Sequence, residues 1–564
     1  MHAVSFRSAA TPPASTSRRG ALRLPALLIL LAAGVLAPAG IACRDDRAPA
    51  GSAADEQVFR FRLREDPPTL DPAMTSDNLS EAITANVFRG LVQLDPETLT
   101  IVPAVAAAWE ISPDHLTYTF TLRDDVIFHN GRRLTADDVV YSFTRLLDPA
   151  VNSPRRFVLE PIDGAGPFAE GTSSSVTGLT SPDPHTIRIR LARPYAPFLG
   201  LLSMVNAAIL PREVYDDPQR GYQRSPVGCG PFLVSRWEQS NLIELRAFDR
   251  FYGGRPTIDR IEARIIENLV SALQEYRAGG LDSLDQPPAE DDALYEELKP
   301  EIRRYPYIAT GYFGFNLAIP PFKGNPALRK AINYAVDKKY LWEILMPGGN
   351  IPAHGIIPPG IAGYDPNLPG YPVDLGRARS LLAEAGYPGG RGLAPFTLWS
   401  NTSEDNRRIA LQIQSDLKRI GVQVTLREAD WAAYIPAVEG TAEKPGQAQM
   451  FRFGWNLDYP DADAILRPLL YSSNIGPAGN SIRYHNPQVD RLLDEALIAT
   501  DPQRRAALYR EAERIAVMDD AVFLFLNYYE SWTLFKPWVK GIVLTPLGEF
   551  RIPLERLRID RSGS

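Results

Sequence analysis

Between Ile409 and Leu426 the hydrophobic period of the chain changes from 3.6 to 2. Ile409, Ile413, Leu417 and Ile420 share one helical face, Gly421 ends it, and Val422, Val424 and Leu426 then alternate with polar residues as a strand. A helix that feeds a strand across a single glycine is a connection of α/β type. Other segments repeat both patterns. Val58–Leu63 alternates Phe59, Phe61 and Leu63 against Arg60 and Arg62, and Tyr118–Leu122 and Thr186–Leu191 alternate likewise. Thr135 and Asp138 have the spacing of a capping box, followed by an apolar stripe of Val139, Val140, Phe143, Leu146 and Leu147. Asn325-Pro326, Asn486-Pro487 and Asp501-Pro502 each place a capping side chain before a proline at the first helical position. After Asn325, Leu328, Ala331, Ile332, Ala335 and Val336 form one helix face, and Asp374–Ala385 is a further helix closed by Gly386. No internal repeat and no long linker is visible, so the domains are expected to interweave.

The N-terminus is of a different kind. Arg18, Arg19 and Arg23 precede a run, Leu24–Ala42, that is almost wholly apolar or small, and Cys43 follows. This is the layout of a secretory signal. A cysteine directly after a small residue is similar to the bacterial lipoprotein processing site, although Gly40 stands where a large aliphatic residue is usual. The expectation is a signal peptide over 1–42, lipid attachment at Cys43 and a flexible tether over 43–55. Plain secretion and a retained helix are the alternatives, and all three place the body outside the cytoplasm.

Removing 42 of the 564 residues leaves a chain sized for two to four domains. A net charge of −7 without a basic tract argues against nucleic acid as a partner. Two cysteines, Cys43 and Cys229, cannot form a disulfide framework or a cysteine metal site, and the six histidines lack metal-ligand spacing, so no metal or cofactor is expected. Cys229 reads as a small residue in a tight turn. There is no Gly-x-Ser-x-Gly, His-Glu-x-x-His or Walker-type loop, which disfavours an enzyme, while a two-carboxylate glycosidase stays open on composition.

Several blocks in a fixed order carry a family resemblance. Pro103–Leu147 reads PAVAAAWEISPDHLTYTFTLRDDVIFHNGRRLTADDVVYSFTRLL. With Asp66–Asp71 (DPPTLD), Pro226–Phe232 (PVGCGPF), Phe315–Asp337, Asp374–Tyr387 and Tyr484–Leu493, it resembles the oligopeptide/dipeptide solute-binding family (family 5) of bacterial ABC importers. The resemblance implies an α/β, two-lobed fold of the periplasmic-binding-protein type II kind, with an additional domain inserted in lobe I. Lobe I would comprise 56–94, 213–308 and 530–564, the inserted domain 95–212 and lobe II 309–529. The lobe crossings would lie near Tyr307–Phe315 and Leu526–Tyr529. It further implies a monomer that captures short peptides between its lobes and delivers them to a membrane permease. A non-peptide solute (oligosaccharide, nickel chelate, haem, an opine-like amine) is the alternative.

The stretch Phe451–Asp463, FRFGWNLDYPDAD, resembles the ligand-contact stretch of the peptide-binding branch. The resemblance puts Asp458 at a peptide's free amine and Arg452 near its carboxylate; Asn456 is a further expected ligand-binding residue, and Trp455 and Tyr459 are expected as walls. A cleft that strips water from both ends of a zwitterion needs an acid for one and a cation for the other, because buried unpaired charge costs several kcal/mol. Asp461 and Asp463 read instead as an acidic helix start over Pro460–Leu470. A calcium loop is disfavoured by the missing glycine.

Overall fold

The computed structural model describes residues 56–217, 221–285, 287–288, 293–345, 350–477 and 479–562. The signal segment, Cys43 and the tether lie outside the described residues. Among those described, no helix is long and apolar enough to cross a membrane.

Three sheets organise the body. In the first, Val58–Leu63 pairs in parallel with Arg260–Ile265, and Leu242–Ala247 and Phe232–Glu238 continue antiparallel. Phe59, Leu63, Phe232, Ile243 and Ile261 bury their inner face against Ala82, Ile83 and Val87 of the helix Asn78–Val87. Ile552, Leu554 and Leu557, near the C-terminus, complete this core. Chain segments nearly 500 residues apart therefore share one core.

The second sheet runs Ala106–Ile111, Thr117–Leu122, Thr186–Arg190, Leu179–Asp183, all antiparallel. The alternation read from the sequence buries Phe120, Ile187 and Ile189 under the helix Ala136–Leu147, whose Val139, Phe143, Leu146 and Leu147 face them. Thr135 and Asp138 form the expected capping box.

The third sheet has seven strands, in the order Ser283–Leu284, Phe523–Phe535, Ile302–Phe315, Met450–Asn456, Phe396–Asn401, Val424–Ala429, with Asn350–Pro352 added on Phe523–Phe535. The helices Pro326–Ala335, Leu375–Glu384 and Glu404–Lys418 cover one face through Leu328, Ile332, Leu382 and Ile413. Trp431–Glu439, Asp463–Leu470, Pro487–Ile498 and Pro502–Arg514 cover the other through Tyr434, Ile465, Leu493 and Tyr509. The caps are as expected: Asn325 accepts from Leu328 N at 3.1 Å, Asn486 from Gln488 N at 3.0 Å and Asp501 from Arg504 N at 2.6 Å. Gly421 has φ 88°, and a Cβ there would lie 2.3 Å from the Gly389 carbonyl oxygen, so only glycine fits. One boundary moves. The strand begins at Val424, because Val422 N donates to Leu417 O at 3.0 Å and completes the helix end instead.

The two longest strands, Ile302–Phe315 and Phe523–Phe535, run side by side, but their ladder is interrupted. Pro306 opposes Glu530, and regular pairing resumes only at Thr310 opposite Tyr528. Pro306 has no N–H to give to the ladder. Across the gap, Ile308 N donates to Pro546 O at 3.0 Å and Leu457 N to Ile308 O at 3.1 Å. The segment before the interruption shares its partner strand with Ser283–Leu284, and the segment after it pairs with Met450–Asn456.

Candidate functional site: one strand and the turn that follows it

Met450–Asn456 is a central strand, antiparallel to Ala309–Phe315, with Arg452 opposite Phe313, Gly454 opposite Gly311 and Trp455 opposite Thr310. Alternation sends Phe451, Phe453 and Trp455 to one face and Arg452 and Gly454 to the other. The strand stops where Leu457 N turns to Ile308 O, and Asp458 follows, its carboxylate partly exposed.

Arg452 is 8% exposed. One Nη donates to Tyr529 OH at 2.7 Å, the other to Tyr312 O at 3.3 Å and to the carbonyl of Phe453. Its Nε is buried with no partner, and among the described residues no carboxylate pairs with it. Two other arginines differ: Arg145 holds Asp71 at 2.7 and 3.0 Å, and Arg505 holds Asp461 at 2.6 and 2.8 Å. The facing glycines make room for the guanidinium. A Cβ on Gly311 would lie 2.5 Å from Asn527 Oδ1, 2.9 Å from Arg452 Nη2 and 3.1 Å from Tyr529 OH. A buried cation without a counter-charge is costly to maintain, and an anionic ligand group would relieve it.

Asp458 meets Arg155, which comes from the turn after the helix Ala136–Leu147. Arg155 Nη1 lies 3.3 Å from each carboxylate oxygen, and Nη2 donates to Ser76 O at 3.2 Å. Tyr307, at the ladder interruption, lies within electrostatic reach of Asp458 and of the half-buried Glu549. Burial, reinforced by Glu549, pushes its phenol up to about 12.

The other expected site residues take different places. Trp455 is half-buried, and its Nε1 donates to Ala464 O at 2.8 Å, which ties the strand to the next helix. Asn456 is exposed. Tyr459, expected as a pocket wall, is 5% exposed, its ring against Gly200. Asp461 accepts from Asp463 N at 2.8 Å as well as from Arg505. Asp463 opens the helix Asp463–Leu470, three residues after the Pro460 expected from the sequence. It pairs with Arg467 at 3.1 Å, and burial raises its carboxyl. These two acids are structural. Sequence reasoning missed Arg155, Gly311, Tyr529 and Trp431. Trp431 is 58% exposed, with its ring centroid 6.1 Å from that of Phe453. Gly311, a glycine inside a strand pattern, carried a readable signal of close approach. Among the described residues no cluster of three or more His, Cys, Asp or Glu could hold a metal.

The family model for bacterial extracellular solute-binding proteins, family 5 (middle region), matches residues 100–477. The chain is a family 5 solute-binding protein. Heme-binding protein A of Haemophilus influenzae is 32% identical over 514 residues, covering 88% of this chain and 91% of the relative. The glutathione-binding protein GsiB of Salmonella typhimurium is 32% identical over 451 residues, covering 79% and 84%. An unliganded, open form of the periplasmic murein tripeptide-binding protein MppA superposes with a TM-score of 0.76 at 26% identity, covering 90% of this chain and 98% of that one. The protein thus has the two-lobed α/β fold of the family, whose members serve ABC importers as solute-binding proteins, and the family works outside the cytoplasm.

Proposed function

We propose that this protein captures short peptides in a cleft between its lobes and hands them to a membrane permease. The observation that carries the reading is the pair of charges on one strand and its turn: the buried, carboxylate-free guanidinium of Arg452 and the accessible carboxylate of Asp458. At about 3.3 Å per residue, the stretch between them spans up to about 20 Å, which accommodates an extended ligand of a few residues. Arg452 would neutralise a peptide carboxylate and Asp458 a peptide ammonium. A peptide backbone lying along the cleft could pair as an added strand, which holds the main chain without reading side chains. Trp431 and Trp455 would contribute apolar walls.

In this reading lobe I comprises 56–94, 213–308 and 530–564, the inserted domain 95–212 and lobe II 309–529. The interruption at Pro306–Thr310 acts as the hinge, and ligand contacts to both lobes favour closure. The protein works as a monomer, tethered through a lipid on Cys43, and performs no chemistry on its ligand.

Native mass spectrometry of the purified protein tests the ligand class. A ladder of short peptides is expected, and a single sugar, haem or metal chelate would overturn the reading. In calorimetry with trialanine, Asp458→Ala is expected to weaken binding by about 2 kcal/mol, from an ammonium left without its partner. Equal affinities would make Asp458 a structural residue only.

A further inference from the structure

Ile308 is buried in the gap of the long ladder, where Phe523–Phe535 offers its amide no regular partner. That amide goes to Pro546 O at 3.0 Å instead, and the Ile308 carbonyl takes Leu457 N at 3.1 Å, one residue before Asp458. A single residue thus joins the C-terminal part of the chain to the turn that carries the candidate ligand carboxylate. A buried amide that loses its acceptor is costly, so where Pro546 sits decides where Ile308 sits.

The segment that delivers Pro546 is fastened at a few points. Gly548 turns the chain with φ 97°, its N donating to Thr545 O at 3.0 Å. A Cβ on Gly548 would lie 3.1 Å from the ring of Tyr307, so glycine lets the segment press directly on the residue beside Ile308. Glu549 accepts from Ser531 Oγ at 3.3 Å. Arg551 pairs with Glu81 on the helix Asn78–Val87, and with both side chains only 16% exposed the pair is partly shielded from water. Ile552 and Leu554 then enter the core of the first sheet. Packing between these points is incomplete, because two cavities border the segment. Phe59, Asn86, Ser283 and Glu549 line one, and Phe88, Leu547, Arg551 and Pro553 line the other. With open space beside it, the segment depends on its side-chain anchors for position.

We propose that residues 545–551 form a strap over the hinge, and that Arg551 and Glu81 are positioning residues that hold Ile308 and, through it, the turn of Asp458. The strap sets how freely the lobes bend and how well the turn is formed before a ligand arrives. This goes beyond the class of ligand and rests on the hinge reading.

Hydrogen exchange read by mass spectrometry on the purified, ligand-free protein tests it, because amides exchange through local opening. In Arg551→Gln, peptides spanning 305–310 and 455–460 should exchange at least about tenfold faster, while the helix Pro326–Ala335 stays within about twofold of the wild type. Arg551→Glu combined with Glu81→Arg, which reverses the pair, should restore most of the protection. Ser531→Ala removes a weaker anchor and should give the same pattern at about threefold, which keeps the test open where Arg551→Gln does not fold. Unchanged exchange in both segments, a rise at 305–310 alone, a rise spread over the whole chain, or no rescue by the reversed pair would each overturn the inference. Calorimetry should show trialanine binding to Arg551→Gln at least about fivefold more weakly, and an equal affinity would overturn the link to the ligand turn. Small-angle scattering of the wild type with and without trialanine tests the hinge separately. An unchanged radius of gyration there refutes lobe closure, while the exchange pattern decides the strap on its own.

Discussion

Glu513 should make the stability of this protein depend on pH in an unusual direction. Its carboxylate is 2% exposed, near the end of the helix Pro502–Arg514, and one oxygen accepts from both Ile356 N at 2.6 Å and Ile357 N at 2.8 Å. The same short loop is tied to the large sheet by Thr310 Oγ1 donating to Ile356 O at 2.8 Å and by Gly355 N donating to Tyr528 OH at 3.1 Å. Asp365, Tyr364 and Tyr528 lie within electrostatic reach of it, and none of the three brings a positive charge. Burial outweighs the two amides and pushes the carboxyl up to about 7, against 4.5 for an ordinary glutamate. The folded state therefore holds this proton more tightly than the unfolded chain does. Its stabilisation is fully present below about pH 4.5 and is lost as pH rises through 7.

At about 1.4 kcal/mol per pKa unit, the loss between pH 5 and pH 8 is about 2 to 3 kcal/mol. Glutamine reproduces the shape of the protonated acid and does not ionise, so Glu513→Gln should match the wild type at pH 5 and exceed it by about that amount at pH 8. Urea unfolding of both proteins at the two pH values reads the difference, with an unchanged m-value as the control. A wild-type-minus-variant difference that is flat across this range would refute the argument, since other titrating groups cancel in the comparison.

Gly311→Ala should cost about 1–3 kcal/mol, because its Cβ would overlap Asn527 Oδ1 and crowd Arg452. It should also abolish trialanine binding, and a variant with wild-type melting temperature and calorimetric affinity would refute the packing argument. Cys229 is buried in the turn between Gly228 and Gly230, and burial pushes its thiol up to about 12. Iodoacetamide should leave it unmodified in the native protein and alkylate it in denaturant, as read by peptide mass spectrometry. His129 accepts from Gly228 N at 3.3 Å and lies 3.0 Å from Gly230 O, and burial lowers it to about 4. It should stay neutral at pH 5.5 by NMR, and its contribution to stability, complete above about pH 6.5, should disappear as pH falls through 4.

What could be read in the sequence was local. Caps at Asn325, Asn486 and Asp501, the capping box at Thr135 and the stop at Gly421 each depend on residues within about four positions, where chain connectivity supplies the partner. The two-period pattern around Ile409–Leu426 identified a helix feeding a strand for the same reason. Contacts that join distant segments left no comparable mark. Arg155 and Asp458 are separated by 303 positions, and nothing near either residue names the other. Tyr459 looked like a pocket aromatic, because the sequence does not show that Gly200, with no side chain, leaves a space its ring can fill. Arg452 was legible by resemblance, but its lack of a carboxylate partner depends on what surrounds it in three dimensions.

The same contrast explains how Asp458 can be accessible and still well positioned. Its backbone is fixed on both sides. Leu457 N is held by Ile308 O, Tyr459 is wedged on Gly200, and two residues further Asp461 is clamped by Arg505. Ala196 N donates to Leu497 O at 2.8 Å nearby, so the segment that carries Gly200 is itself tied to the helix Pro487–Ile498. A carboxylate on so rigid a base loses little further freedom when a ligand arrives, which is what preorganisation requires. The compliance nearest to it is the ladder between Pro306 and Thr310, the longer of two irregularities in the pairing of these strands. Bending there would move Val58–Leu63 and its sheet relative to Met450–Asn456 and would also pull on Ile308, which lies inside the interruption and holds Leu457. In the proposed reading, ligand capture at Asp458 and bending at the interruption are therefore coupled through Ile308.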